Sequence, residues 1–130
     1  MIVIDSSAII EVLLRTESAS LIEDRIFSQG ETLHAPHLLD LEVAQVLRRY
    51  YASGDVDSER GQEAISDLAD FPITRYPHDL FLPRIWQLRH NMTAYDAVYV
   101  ALAELLPAPL ITRDARLAST PGHTAVIELI

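Results

Sequence analysis

Short apolar runs rich in β-branched residues alternate along the chain with longer segments whose apolar residues recur at helical spacing. Met1 to Ile4 predicts a buried strand, and Asp5, Ser6 and Ser7 then supply capping groups for a helix through about Leu14. Ser18 to Gln29 predicts a second helix, with Gly30 where a residue following a helix C-terminus is expected. Thr32 to Ala35 predicts a short strand, and Leu38 to Ala52 a helix stopped by Gly54. A polar helix follows from Asp57 to Asp70, weakened by Gly61. Pro72 to Tyr76 predicts another strand, and Asp79 to His90 a helix with Pro83 in its first turns. Thr93 caps a helix running to Leu106, where Pro107 and Pro109 bracket the stop. Leu110 to Thr112 is a strand entering Asp114, a short helix follows, and Ala125 to Leu129 is the last apolar run. Strands alternating with helices imply an α/β fold, a mostly parallel sheet covered on both faces. At 130 residues and 49% hydrophobic content the chain has one domain's worth of core, so residues 1–130 read as a single domain.

Composition narrows the chemistry. There is no cysteine, which removes disulfides and zinc-thiolate sites and suits a reducing, cytoplasmic setting. Met1 leads straight into Ile2, Val3, Ile4 and Asp5 without a basic leader, so the chain reads as mature and not exported. The longest apolar run, Ala97 to Ala103, falls far short of the ~20 residues that span a bilayer, so no membrane partner is expected. His34 and His37 lack a matched second pair for zinc and read as solvated or capping residues. The formal charge of -9 argues against a broad basic surface for nucleic acid, and it stays acidic without the candidate ligands named below. All basic residues are arginine, with no lysine in the chain.

Four acids stand where chemistry is expected. Asp5 and Asp114 each follow a strand and precede a helix, the position at which open α/β sheets bind ligands. Each has a nearby hydroxyl able to orient a carboxylate, Ser6 for the first and Thr112 for the second. Taken alone, Asp5 reads better as a plain N-cap. Glu42 lies within the apolar arc of its helix, among Leu38, Leu39, Val43, Val46, Leu47 and Tyr50, where an unpaired carboxylate is costly. Either an ion pair with Arg49 or a site explains it. Asp96 opens a helix that is apolar nearly all round, and there a carboxylate either caps beside Thr93 or points from the core into a site. A carboxylate cluster without His or Cys suits Mg²⁺ or Mn²⁺, and with them phosphodiester hydrolysis by water.

Four stretches carry a resemblance: Ile2-Val3-Ile4-Asp5-Ser6-Ser7-Ala8, Glu42, Thr93-Ala94-Tyr95-Asp96-Ala97-Val98-Tyr99-Val100-Ala101-Leu102-Ala103, and Leu110-Ile111-Thr112-Arg113-Asp114-Ala115-Arg116-Leu117. Over nearly its whole length the chain resembles the PIN-domain ribonucleases, and within them the VapC-type toxins of toxin-antitoxin pairs. The resemblance implies a parallel sheet in a helical sandwich and an endoribonuclease dependent on Mg²⁺ or Mn²⁺, with RNA as substrate and transfer RNA a frequent target. It also implies a homodimer and a VapB-type antitoxin partner. It makes Asp5, Glu42, Asp96 and Asp114 the catalytic, metal-holding quartet, with Ser6 and Thr112 in support.

Arg113 and Arg116 flank the last acid and are placed either to contact RNA phosphate or to sit in solvent. Arg48, Arg49, Tyr50 and Tyr51 read as the core and rim of one helix, and Trp86 as packing. A phospho-receiver domain needs paired acids after its first strand and a late lysine, and a haloacid-dehalogenase-like phosphatase needs an acid at position 7; neither is present. The remaining alternative is a non-catalytic PIN-fold binding module whose acids hold a structural metal.

Overall fold

A computed structural model describes residues 1–130. Its framework is a parallel sheet of β1 (Ile2–Ile4), β2 (Leu33–Pro36), β3 (Ile73–Tyr76), β4 (Leu110–Thr112) and β5 (Ile127–Leu129), in the order β3-β2-β1-β4-β5. Val3 pairs with His34 on one side and with Leu110 on the other. Every residue of β1, β2 and β4 is buried. Because successive strand residues point to opposite faces, that pattern means both faces of the central sheet are covered, as the unbroken Ile-Val-Ile of β1 implied. The edge strands β3 and β5 are only partly buried.

The helices are α1 (Ser6–Leu13), α2 (Ala19–Ile26), α3 (Leu38–Ser53), α4 (Ser58–Asp70), α5 (Leu82–Gln87), α6 (Ala94–Leu105) and α7 (Ala115–Ala118). Ala97 through Ala103 in α6 are all buried, so this helix is the core's central rod. It packs on β1, β2 and β4. The α3 helix buries only the stripe Leu39, Val43 and Leu47. It ends at Gly54, whose positive φ of 84° lets its N–H turn back to the Tyr50 and Tyr51 carbonyls, a geometry that costs a side-chain-bearing residue more. No helix is long and apolar enough to cross a membrane.

The chain runs from β1 outward through β2 to β3, then returns to place β4 against the other side of β1. Strands β1 and β4 are therefore neighbours whose onward connections diverge, which opens a crevice beyond their carboxyl ends. Asp5 and Asp114 both lie at this crevice.

Several local expectations need correction. The second helix stops at Ile26, three residues early, because the Ser28 hydroxyl takes the Asp24 and Arg25 carbonyls that further helical N–H groups would need. The segment Asp79 to His90 is split into a 3₁₀ turn at Asp79–Phe81, the helix Leu82–Gln87 and terminal turns. Pro83 has no N–H to bond back into a continuous helix, and it sits instead at the start of the second piece. Of the run from Ala125, only Ile127–Leu129 pairs as strand. His34 is neither solvated nor capping. It is 8% exposed, with its ring nitrogens bonded to the Thr32 hydroxyl at 2.8 Å and the Tyr76 hydroxyl at 2.7 Å. Trp86 is not core packing. It is 67% exposed, with the Arg89 guanidinium 4.5 Å from its ring centroid.

Candidate active site

Asp5 ends β1 in extended conformation and caps α1, so its side chain is turned back over the strand end. Only 6% of the residue is exposed, yet its carboxylate is well provided with donors. Oδ1 accepts from the Ser7 hydroxyl at 2.6 Å and the Ala8 N–H at 3.1 Å, and Oδ2 accepts from the Thr112 hydroxyl. Those two hydroxyls are themselves oriented. The Arg113 N–H donates to Ser7 Oγ at 2.9 Å, and the Asp114 N–H donates to Thr112 Oγ1 at 3.0 Å. The turn after β4 thus fixes a carboxylate at the end of β1.

Asp114 caps α7, its Oδ1 accepting from the Arg116 N–H at 2.9 Å and the Leu117 N–H at 3.4 Å. The Arg116 guanidinium stands 3.4 Å from Oδ2 and is otherwise open to solvent. Asp96 occupies the first turn of α6, behind Thr93, whose hydroxyl accepts the Asp96 N–H at 3.2 Å. Glu42 lies one turn into α3, and its Oε1 accepts from the Tyr99 hydroxyl at 2.6 Å. Tyr99 is 2% exposed, so this bond is made inside the protein.

The four acids form an electrostatic ring. Asp5 is repelled by Asp114, Glu42 by Asp5 and Asp96, and Asp96 by Asp114. Burial is the main cause that pushes the Asp5 carboxyl above its ordinary value; the Ser7, Thr112 and Ala8 donors partly offset it. Burial likewise raises Glu42, aided by its two acidic neighbours and opposed by the Tyr99 and Ser6 hydroxyls. Asp96 is raised by burial and by Asp114, while Arg116 pulls it down. Tyr99 itself is pushed up by burial and by the Glu42 charge, so it remains a donor.

These donors suit a hard divalent cation, being carboxylate oxygens alone, partly desolvated and short of compensating positive charge. No three acidic or histidine side chains converge on one coordination point in this conformation. The fit therefore rests on donor chemistry and mutual repulsion, not on a closed cage.

The structure brings Asp5, Glu42, Asp96, Asp114 and Thr112 to one end of the sheet, and Ser6 lends its hydroxyl to Glu42 rather than to Asp5. The hydroxyl bonded to Asp5 belongs to Ser7, while Ser6 lies in a groove beside Glu42. Glu42 does not pair with Arg49; its partner is Tyr99. Arg113 is held back from the site. Its Nε lies 3.6 Å from Glu11 and its Nη1 donates to the Ile130 carbonyl at 3.1 Å, whereas the Arg116 side chain is 80% exposed. Ser7 and Tyr99 were not assigned to the site from sequence. Tyr99 had a signal: it is the one hydroxyl within the buried run of α6, one helical turn after Asp96.

Comparison with known proteins bears on the fold and the family. The PIN domain pattern matches residues 2–122. Ribonuclease VapC1 of Mycobacterium tuberculosis is 42% identical, over 98% of this chain and 96% of its own length. Ribonuclease VapC12 of the same organism is 40% identical, over 100% of this chain and 99% of its own. Among solved structures, M. tuberculosis VapC20, described as a Sarcin-Ricin loop cleaving toxin, superimposes with a TM-score of 0.71 at 13% identity, covering 97% of this chain and 98% of its own. VapBC2 from Rickettsia felis, bound to a promoter DNA fragment, gives 0.72 at 12% identity, covering 100% and 99%. At such identities the last two speak for the fold alone. The chain is a PIN domain. Within that class it belongs to the family of VapC ribonucleases.

Proposed function

We propose that this protein is an endoribonuclease toxin that hydrolyses RNA phosphodiester bonds with Mg²⁺ or Mn²⁺, held by Asp5, Asp96 and Asp114 with Glu42. The observation that carries the reading is the ring of four mutually repelling carboxylates at the β1/β4 crevice, three of them raised above their ordinary values. The bound cation supplies Lewis acidity at the phosphoryl group and lowers the pKa of water.

The chain's own groups do the rest. Asp5 is locked by three donors and keeps its orientation without rearranging as charge develops. Glu42 commits Oε1 to Tyr99, which leaves Oε2 to take the proton from the attacking water, and its raised proton affinity suits that role. The water oxygen bonds to phosphorus as the bond to the leaving sugar oxygen breaks, and that oxygen takes up a proton from solvent. Arg116, exposed at the rim beside Asp114, is the arginine best placed to meet a phosphate; Arg113 serves to anchor the turn.

The ribonuclease names of the relatives support RNA as the substrate, with transfer RNA among the targets to be tested, and their VapC identity supports a VapB-type antitoxin, a homodimeric toxin and a cytoplasmic setting. Purified protein incubated with total cellular RNA and Mn²⁺, beside Asp5→Asn, should give discrete new ends only in the unsubstituted protein. Chelator should abolish them and added Mn²⁺ restore them. Identical ends from both proteins would turn the reading to a binding module.

A further inference from the structure

Beside the stripe that the core buries, the α3 helix carries a second, partly open face, on which Leu38 and Val46 are only half-covered. Flanking its buried stripe, Leu38, Glu42, Gln45, Val46 and Arg49 follow one another at helical spacing and meet Tyr95 at the start of α6. Together they line an open groove of about 410 Å³ that includes the candidate catalytic residue Glu42. Tyr95 is 64% exposed and its hydroxyl has no partner, although the next residue is Asp96. Arg49 forms no ion pair, in a chain where acids outnumber basic residues 19 to 10 and most arginines have found a carboxylate.

We propose that this groove is a nucleobase subsite, taking the base of a nucleotide next to the scissile phosphate of single-stranded RNA; the assignment rests on the nuclease reading above. The chemistry matches part by part. Tyr95 offers an exposed aromatic face for stacking, and Leu38 and Val46 form the apolar wall opposite a flat, desolvated ring. The Gln45 amide has both a donor and an acceptor for a base edge, which makes it the residue that sets base preference. Arg49, uncommitted to any carboxylate, supplies the positive charge that the acidic centre lacks for an RNA phosphate. Continuity with Glu42 places the bound base one step from the reacting phosphate. A peptide helix would also cover an apolar groove, but a lone arginine beside an exposed tyrosine at the edge of a hydrolytic centre favours a nucleotide.

Binding is read separately from cleavage by working in the Asp5→Asn protein with Mn²⁺ and short single-stranded RNAs carrying 2-aminopurine at each position in turn. One position should show quenching, and Tyr95→Ala should abolish it and weaken binding about tenfold or more. Tyr95→Phe should restore both, and Tyr51→Ala, an exposed tyrosine elsewhere on α3, should change neither. In the cleaving protein Tyr95→Ala should raise KM with little change in kcat, and Gln45→Ala should broaden the base found at the mapped ends.

Unaltered RNA affinity and unaltered ends in Tyr95→Ala and Arg49→Ala would overturn the subsite while leaving the nuclease standing. Quenching lost on Tyr95→Ala, when the unsubstituted protein cleaves no RNA, would leave a base-binding groove but overturn the nuclease reading and with it the placement beside a scissile phosphate. If the same variants keep RNA binding but lose binding of a co-expressed VapB-type antitoxin, the groove is a peptide site and the proposal falls.

Discussion

At the C-terminal end of α6, Glu104 is clasped by Arg84 through bonds of 2.8 and 2.9 Å and by the Thr124 N–H and hydroxyl at 3.0 Å. At the N-terminal end of the same helix, Asp96 faces Asp114 and shares Glu42's surroundings. The helix dipole favours the acid at the N-terminus and disfavours the one at the C-terminus. The proton affinities run the other way. Glu104 is drawn down to about 2, chiefly by Arg84, and Asp96 is raised, chiefly by burial. Local partners and desolvation outweigh the dipole, and they divide the helix into an end that stabilises the fold and an end whose charges strain against it.

The largest effect expected from breaking this contrast is at the strained end. Asp96→Asn should lower RNA cleavage by about three orders of magnitude while circular dichroism stays unchanged, because a charge is removed from the reacting centre and nothing from the core. Retained activity in that folded variant would undo the proposed division. Next comes Tyr99→Phe, which leaves Glu42 Oε1 without its buried donor. Both the cleavage rate and the Mn²⁺ affinity measured by calorimetry should drop about tenfold.

At the stabilising end, Arg84→Ala should leave cleavage intact and cost about 1 kcal/mol in urea unfolding at neutral pH. Glu104 has a depressed folded-state pKa, so its contribution is full above about 4.5 and is lost as pH falls toward about 2. The two proteins should therefore converge in stability at the bottom of that window, and a constant gap down to it would exclude the pair as the cause. The smallest effect sharpens the comparison from the other side. Glu42 is raised in the folded state, so the fold favours its neutral form and the ionised form costs stability as pH rises past its ordinary value. In chelator at neutral pH, Glu42→Gln should melt about 3 °C above the unsubstituted protein. A lower melting temperature would show that the charge is compensated.

Much of this was legible because its causes are local. The unbroken apolar β1, the hydroxyl and acid pairs after β1 and β4, and the glycine stop of α3 each follow from neighbours in sequence. The misplaced details depend on distant partners. Nothing near Ser7 says that the Arg113 N–H will occupy its oxygen and leave its proton for Asp5, and nothing near Glu42 favours Tyr99 over Arg49. His34 reads as solvated or capping until Tyr76 arrives from β3 to bond it. The helix ends at Ile26 and around Pro83 moved because a hydroxyl and a ring competed for backbone bonds that periodicity does not register.

The bond from Thr112 to Asp5 joins residues 107 positions apart. During synthesis Asp5 is made long before the hydroxyl that orients it, and Asp114 in the turn after β4 follows later still. A contact of such long range forms late in folding. On the proposed reading, a half-made chain therefore holds only scattered parts of the centre, and activity arises near completion, which leaves an interval in which a restraining partner can already be waiting.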